Sequence, residues 1–219
     1  MKKKSAGVLI QGIDPFNGYQ KMEWFAFLRN QPGKKYFEKT ASGKIKEALA
    51  SDYEYPSGVP TRAFFFEGGN ECWKMVASRY NRTISRFTLE QSHFWKWVIE
   101  KQIPIVICET PTKGMRLLSA GYAAITIPGV DSGIRNNTLI PELELFATAG
   151  RNIKICFDDS LVSGAASTSS ALALIALFCK AGAKATFVTQ RELLLNSNSH
   201  RQWAKDNYDH PISYLSNNG

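Results

Sequence analysis

Four short segments rich in apolar residues mark the second half of the chain, and polar or glycine-rich residues separate them. The segments are Ile103–Cys108, Ala124–Ile127, Asn152–Phe157 and Ala185–Thr189. The first is a continuous apolar run, which is typical of a strand that is buried on both faces of a sheet. The pattern therefore predicts four strands of one parallel sheet.

Three segments with helical character lie between these strands, and a glycine follows each of them. The first could be capped by Thr112 and would end at Gly121, the second is Leu139–Ala149 before Gly150, and the third is Gly164–Ala181 before Gly182. Glycine often ends a helix because it adopts the left-handed backbone conformation without steric cost. The alternation predicts an α/β fold with a four-stranded parallel sheet and helices on both faces.

The first hundred residues give a less regular pattern. Short runs that resemble strands occur at Gly7–Gly12, Ala63–Phe66 and Thr83–Leu89, separated by Gly, Pro and Asn. We therefore expect an irregular, β-rich region over residues 1–102, the α/β domain over residues 103–195 and a polar tail over residues 196–219.

Positive charge is concentrated in the first part of the chain. Lys and Arg number 27 against 19 Asp and Glu, which gives a net charge of +8. Residues 1–104 hold 17 basic and 10 acidic side chains, so they carry +7 of that charge. A basic region of this kind favours an anionic partner, DNA or RNA.

Arginines and aromatic residues occur together in this basic region. The arginines are Arg79, Arg82 and Arg86, and the aromatic residues near them are Tyr80, Phe87, Trp95 and Trp97. Such a mixture could stack on and pair with single-stranded nucleic acid. An antiparallel sheet with an aromatic face in the core and a basic face in water would give the same pattern. Because spacing alone does not show exposure, the sequence favours this structural interpretation.

The cysteines and the apolar segments argue against two further classes of protein. The four cysteines form no CxxC pair and three histidines are available to join them, so the sequence predicts neither a zinc site nor a disulfide. The most apolar segment, Ala171–Cys179, is too short to span a bilayer. We therefore expect a cytoplasmic protein without membrane contact.

Acidic residues directly follow two of the predicted strands. Glu109 comes after the first strand, and Asp158 and Asp159 come after the third. Ligands of open parallel sheets bind beyond the carboxyl ends of the strands. Carboxylates clustered there would repel one another unless a hard cation such as Mg²⁺ lies among them. The same residues could instead cap the helices that follow, and the residues alone leave both interpretations open.

The order of these residues resembles the Toprim domain, the metal-binding fold of topoisomerases, bacterial primases and certain nucleases. Glu109 matches the family Glu, Gly129 the glycine after the second strand, and Asp158 the first Asp of an Asp-x-Asp motif. More closely, the chain resembles a Toprim-like family of uncharacterised function in replication proteins of plasmids and other mobile elements, often joined to primase–helicase modules. The matching segments are Tyr53–Phe65, Ile103–Gly133, Leu139–Leu143 and Gly150–Ser160.

The resemblance implies a role for each matching residue. Glu109 would act as general acid or base, and Lys113, which matches a family lysine, would join it in catalysis and contact a phosphate. The metal would be Mg²⁺ or Mn²⁺, and its ligands would come from Glu109, Asp158, Asp159 and Ser160.

Two positions depart from the family pattern. Thr110 stands where the family has glycine, and Ser160 stands where it has the second Asp of Asp-x-Asp. A hydroxyl is a poorer Mg²⁺ ligand than a carboxylate. Asp159, at the x position, would point away from Asp158 because side chains alternate along an extended segment. The resemblance therefore implies a weak metal site or none.

A loop after the second strand adds a further candidate. Gly129 and Asp131 precede Ser132 and Gly133 at the same edge of the predicted sheet. Backbone N–H groups of such a loop could bind a phosphate. A simple turn explains the same residues.

Three functions follow from the resemblance. The chain could be the nucleic-acid-binding module of a primase-type DNA replication protein, with Mg²⁺-dependent nucleotidyl or phosphoryl transfer. It could be a non-catalytic scaffold for DNA or a partner protein, which Ser160 favours. It could also be a phosphodiester nuclease. Because the sequence lacks the GxxxxGK[ST] motif, a helicase or primase partner or a fused domain would supply the motor.

Overall fold

The computed structural model describes residues 7–29, 35–39, 45–49, 53–58, 60–91, 93–157 and 165–195. The chain divides into two compact units, Met1–Thr61 and Arg62–Gly219. The domain boundary after residue 102 that the sequence suggests stays a prediction. Three of the expected metal ligands, Asp158, Asp159 and Ser160, lie outside the described residues, as does the expected tail over 196–219.

The first unit is built from antiparallel strands, as the β-rich pattern of the sequence predicts. The strands are β1 (Gly7–Asp14), β2 (Gln20–Arg29), β3 (Lys35–Lys39), β4 (Ile45–Leu49) and β5 (Tyr53–Glu54). β1, β2 and β5 form one sheet in that order, and β3 pairs with β4 in a separate hairpin. The turn between β1 and β2 is tight, and Gly18 in it has φ +63°.

The second unit begins with a short bridging segment and three helices. The helices are α1 (Asn70–Arg79), α2 (Arg86–Gln91) and α3 (Phe94–Glu100). The expectation of a strand over Thr83–Leu89 is wrong, because α2 occupies most of that segment. The expected strand Ala63–Phe66 is reduced to an antiparallel bridge between Phe64 and Thr126.

Several aromatic residues of this region are buried in α1 and α3. Trp73 of α1 packs edge-on against Phe94 of α3, with ring centroids 6.0 Å apart. Trp95 packs against Phe65 at 5.0 Å, and its indole N–H donates to the carbonyl of Phe66. Of the four aromatic residues that the sequence placed near the arginines, Trp95 and Trp97 are buried, as the structural interpretation expects, but they lie on α3 and not on a sheet face. Tyr80 is half-buried, and the side chain of Phe87 lies outside the described ones.

The predicted parallel sheet is present. Its strands are β6 (Ile105–Cys108), β7 (Ala123–Thr126), β10 (Asn152–Ile155) and β11 (Lys184–Phe187), in the spatial order β11–β10–β6–β7. All three pairings are parallel, and Ile105 of β6 lies between Ala123 of β7 and Ile153 of β10. The residues of β6 and β7 are buried on both faces, which explains why those two strands read as continuous apolar runs.

Helices and one small hairpin connect these strands. The helices are α4 (Pro111–Ser119), α5 (Pro141–Glu144), α6 (Ala165–Lys180) and α7 (Gln190–Leu195), a 3₁₀ turn covers Val130–Gly133, and the hairpin pairs β8 (Ile134–Arg135) with β9 (Thr138–Leu139). Gly121, Gly150 and Gly182 have positive φ and follow α4, the α5 region and α6, as expected.

Two details of the helices differ from the prediction. The helix expected over Leu139–Ala149 is the single turn α5, because Leu139 pairs with Ile134 in the β8–β9 hairpin. The N-cap of α4 is Thr110 and not Thr112, because Pro111 occupies the first helical position, where a missing N–H has no cost.

Helices cover both faces of the sheet. On one face α4 lies so close to β7 that a Cβ added to Gly114 would overlap Oγ1 of Thr126. On the other face Gly133 lies against Leu174 of α6 and Ile127, which follows β7. The expected α/β sandwich is therefore present. Among the described residues, no helix is long and apolar enough to cross a membrane.

Candidate functional site

The crossover connections that follow β6 and β10 run toward opposite sides of the sheet. From β6 the chain passes through α4 to β7 on one side, whereas from β10 it passes through α6 to β11 on the other. In open parallel sheets, such a reversal opens a crevice beyond the carboxyl ends of the two strands, and ligands bind there. Glu109 directly follows β6, and the segment after β10 holds residues 158–160. The sheet topology and the acidic residues of the sequence therefore indicate the same place, the edge formed by the carboxyl ends of the strands.

A buried ion pair lies at the end of β6. The ammonium Nζ of Lys113 is 3.0 Å from Oε1 and 3.4 Å from Oε2 of Glu109. Glu109 is 4% exposed and Lys113 is 7% exposed. Because α4 begins at Pro111, Lys113 lies in its first turn, where the side chain can reach back to the strand end. The two residues that the resemblance assigned to catalysis are therefore in direct contact.

The position of Lys113 is electrostatically unusual. The first turn of a helix carries the positive end of the backbone dipole, which favours a carboxylate such as Glu109 and disfavours an ammonium group. Burial also opposes each charge separately and is tolerated when the two charges are paired. The contact with the Glu109 carboxylate therefore stabilises the ammonium of Lys113 at this place.

Close packing holds the pair at the edge of the sheet. Gly114, directly after Lys113, has no side chain, so the first turn of α4 can rest on Thr126 at the end of β7. The thiol of Cys108, 3.6 Å from the Thr126 hydroxyl, is fully buried. This burial raises the pKa of Cys108 to about 12, which keeps the thiol protonated and excludes it as a nucleophile.

The loop after β7 is a compact turn. Gly129 has φ +102°, and its N–H donates to the carbonyl of Ile127. Ser132 donates its N–H to the carbonyl of Gly129 and its hydroxyl to the carbonyl of Pro128. These N–H groups donate to carbonyls inside the loop, which supports its interpretation as a simple turn.

The side chain of Asp131 links this turn to the opposite side of the crevice. Its Oδ1 accepts a hydrogen bond from the hydroxyl of Ser170 on α6. α6 follows β10, so the contact joins the connection after β7 to the helix after β10. Phosphate binding by Gly129 and Asp131 stays a prediction.

The three arginines of the basic region have different surroundings. Arg79 donates to the carbonyls of Ala120 and Gly121 and to the hydroxyl of Tyr122, and its guanidinium lies 3.9 Å from the centre of the Tyr122 ring. Arg79 therefore connects α1 to the turn after α4 through these hydrogen bonds.

The other two arginines face solvent. Arg82 is exposed, and Arg86 is exposed and paired with Glu90 at 2.7 Å. Nucleic-acid binding by the three arginines stays a prediction, and Arg82 and Arg86 are the two whose guanidinium groups a ligand could reach.

Sequence reasoning missed a buried arginine at the opposite edge of the sheet. Arg151, directly before β10, is 1% exposed and donates to the carbonyls of Val98, Ile99 and Ile103. Burial lowers the pKa of Arg151 to about 10. Arginine is rarely buried, so its position gave no signal.

Metal ligands are sparse in the described part of the chain. Within the described ranges, no group of three or more His, Cys, Asp or Glu side chains could hold a metal ion. Glu109 offers one carboxylate, which fits a Mg²⁺ ligand by its chemistry, but its charge is already matched by Lys113. The other expected ligands, Asp158, Asp159 and Ser160, are outside the described ranges.

Fold and site together define an α/β domain with a parallel sheet and a buried ion pair beside its crevice. Residues 94–193 match a family described as a domain of unknown function, DUF3854. This match extends from α3 into α7, so it includes all four strands of the parallel sheet and the Glu109–Lys113 pair.

A curated relative extends the similarity beyond this domain. The chain is 32% identical over 198 residues to an uncharacterized protein of Picosynechococcus sp., and the alignment covers 81% of the chain. It covers 18% of that protein, so the chain spans less than a fifth of the relative's length. No solved structure matches the chain.

Proposed function

We propose that the chain is a Toprim-like, nucleic-acid-binding module of a primase-type DNA replication protein of a plasmid or mobile element. The observation that carries this proposal is the buried Glu109–Lys113 pair. It lies at the end of β6, beside the point where the crossover connections of the parallel sheet diverge. A paired carboxylate and ammonium at such a crevice suits the binding and activation of a phosphate group.

The order of residues around the crevice supports the proposal. Glu109 follows β6, Gly129 follows β7 and Asp158 comes after β10, which is the order that the Toprim resemblance requires. β6 lies between the other two strands, so all three segments start from one edge of the sheet. The N-terminal turn of α4 adds a partial positive charge and backbone N–H groups, to which phosphate is attracted.

Each residue of the chain has a definite task in this proposal. Lys113 contacts a phosphate oxygen of the nucleic acid, and Glu109 accepts or donates a proton at the reacting oxygen. Mg²⁺ or Mn²⁺, when bound by Glu109 and Asp158, stabilises negative charge on a phosphoryl oxygen. Arg82 and Arg86 add attraction for the backbone of the nucleic acid at the solvent surface.

A second candidate is a non-catalytic scaffold that binds DNA or a partner protein. The contact between Glu109 and Lys113 favours it, because the carboxylate already has an ammonium group of the protein at 3.0 Å. Ser160 in place of a carboxylate favours it too. In either form a helicase or primase partner, or a fused domain, supplies the motor, and the module works in the cytoplasm.

Fluorescence anisotropy with a single-stranded and a duplex oligonucleotide tests nucleic-acid binding. We expect binding that weakens steeply with salt, because bound phosphates release counterions. Glu109→Gln should leave the affinity unchanged or raise it by removing a negative charge. A matched control is Lys180→Met, since Lys180 is exposed at the end of α6 on the opposite edge of the sheet.

The same samples separate the candidate functions. Primer synthesis or strand cleavage with Mn²⁺ that Glu109→Gln abolishes would identify the catalytic form, whereas binding without turnover would identify the scaffold. If neither oligonucleotide binds at low salt, the proposal is wrong.

A further inference from the structure

We infer that β1 is a docking edge for a second copy of this chain, whose own β1 adds to it in the antiparallel direction and joins two sheets into one. β1 lies at one end of the sheet β1–β2–β5, and among the described residues it pairs with β2 alone. The outer side of such a strand presents a row of N–H and C=O groups to which another strand can pair. β1 therefore offers the backbone groups that a strand of a second chain needs.

The two edges of this sheet differ in how they are protected. Proteins protect edge strands by keeping them short or by placing charged residues, proline or bulges there. β5, at the opposite end, has two residues, one of which is Glu54, and Pro56 follows it closely. β1 has eight residues, and the range Gly7–Ile13 contains neither a charged residue nor proline. The irregularity in the pairing of β1 with β2 adds residues to β2 and leaves β1 regular. β1 is therefore the unprotected edge of the sheet.

Two large apolar side chains are exposed on β1. Val8 is 56% exposed and Leu9 is 60% exposed, whereas Ile10 on the same strand is buried. Because side chains alternate along a strand, Val8 and Leu9 lie on opposite faces of the sheet. An added strand would place its own side chains beside both of them and remove apolar surface from water. Side chains and backbone of β1 thus favour the same kind of partner, another extended strand.

The sequence of β1 suits a second copy of itself. In a two-fold antiparallel pair the same surface is used by both copies, and the residues meet in reverse order. When Leu9 lies opposite Leu9 of the second copy, Val8 lies opposite Ile10, and position 14 lies opposite position 4. Position 14 is Asp14 at the end of β1, and position 4 is a lysine in the sequence. Opposite charges then meet at both ends of the pair, with apolar side chains between them, which favours this register.

Sedimentation equilibrium of the full chain without nucleic acid tests the pairing. We expect a monomer–dimer equilibrium, and Leu9→Lys should raise its dissociation constant about tenfold or more, because it removes apolar contacts and brings two ammonium groups together. Leu172→Lys is the matched control, since Leu172 of α6 is also 60% exposed. This control adds the same charge to the other unit and should leave the dissociation constant within about twofold. Circular dichroism checks that both variants fold.

Two further measurements locate the contact and its register. Peptides that cover Gly7–Ile13 should exchange their amide hydrogens more slowly in the dimer than in the monomer, whereas peptides that cover β11 should exchange equally in both. Lys4→Glu places like charges opposite each other at both ends of the pair. It should weaken the dimer about three- to tenfold at low salt and have little effect at high salt.

Each result supports or overturns the inference. A chain that stays monomeric up to about 1 mM would overturn it. A dimer that Leu172→Lys dissociates and Leu9→Lys leaves intact would overturn it too, as would a dimer in which the amides of β1 exchange as in the monomer. A dimer that Leu9→Lys dissociates but Lys4→Glu leaves unchanged at low salt would overturn the register. Oligonucleotide binding by the monomer would stand in all these cases, since it does not depend on the pairing.

Discussion

The two edges of the parallel sheet each bury a cation, and they satisfy it in different ways. At the amino edge, Arg151 donates to three backbone carbonyls at and just beyond the end of α3. At the carboxyl edge, Lys113 lies against a side-chain carboxylate, that of Glu109. Both solutions supply the hydrogen-bond acceptors that a buried charge needs.

The difference between the partners separates structure from function. Backbone carbonyls are held in place by the helix and carry no net charge, so the contacts of Arg151 fix α3 to the sheet and leave nothing for a ligand. A carboxylate carries a full charge, so the contact of Lys113 with Glu109 is the one of the two to which the proposed function assigns the binding of a ligand.

Replacing Arg151 should be the most damaging change. Arg151→Met removes a fully buried guanidinium with its hydrogen bonds to three backbone carbonyls and to the Thr148 hydroxyl, and should lower the free energy of unfolding by about 3–4 kcal/mol. Urea unfolding followed by circular dichroism measures it. Arg79→Met, which also removes donors to backbone carbonyls but from a half-buried position, should cost about 1–2 kcal/mol. A loss below about 1 kcal/mol for Arg151→Met would show that Arg151 does not stabilise the packing of α3 on the sheet.

The ion pair should behave as one unit. Glu109→Gln and Lys113→Met should each lower the free energy of unfolding by about 3 kcal/mol, because each removes the opposite charge that lies 3.0 Å from a buried ionised group. The double variant should lose less than either single variant, which gives a coupling of about 2 kcal/mol or more in a double-mutant cycle. Additive losses would mean that the two groups do not depend on each other.

The close approach of α4 to β7 should be sensitive to one methyl group. Gly114→Ala would force Cβ into the Thr126 hydroxyl and should destabilise the protein by about 1–3 kcal/mol. Gly69→Ala is the comparison, since a Cβ there meets nothing within 4 Å and the backbone φ is negative, so the cost to expect is the one of about 0.5–1 kcal/mol for replacing the N-cap glycine of α1. Thermal unfolding of both variants compares them. Equal melting temperatures would show that α4 can move away without cost.

The arginines should differ in their effect on oligonucleotide binding. Arg82→Ala combined with Arg86→Ala should lower the slope of log affinity against log salt by about 0.7–0.9 for each phosphate that an arginine no longer neutralises. Arg79→Ala should alter stability while leaving the slope nearly unchanged, because its guanidinium binds backbone carbonyls of the protein. Anisotropy titrations at several salt concentrations give the slopes. A larger change of slope for Arg79→Ala than for the double variant would show that Arg79, and not Arg82 or Arg86, binds the phosphates.

Much of the parallel sheet could be predicted from the sequence, for a physical reason. β6 and β7 are buried on both faces, so they appear as unbroken apolar runs, and Gly121, Gly150 and Gly182 mark the ends of connections with a positive φ that other residues avoid. The same physics placed Glu109 at the carboxyl edge, directly after a buried strand.

Other features could not be predicted because they depend on tertiary contacts. The aromatic residues near residue 90 are compatible with a strand or a helix by their spacing, and packing between α1 and α3 decides for the helix. The contact of Lys113 with Glu109 follows from where α4 begins, which Pro111 sets. Arg151 finds acceptors on a helix about fifty residues earlier in the chain, a relation without any local pattern.

Anomalous diffraction from a crystal of the full chain grown with MnCl₂ and an oligonucleotide would locate the metal, the nucleic acid and Lys113 in one experiment. We expect a manganese peak in contact with the carboxylate of Glu109, with Nζ of Lys113 on a phosphate oxygen. Density showing bound oligonucleotide, no manganese at Glu109 and Lys113 still 3.0 Å from Oε1 would contradict it, and would leave the ion pair as a purely structural contact.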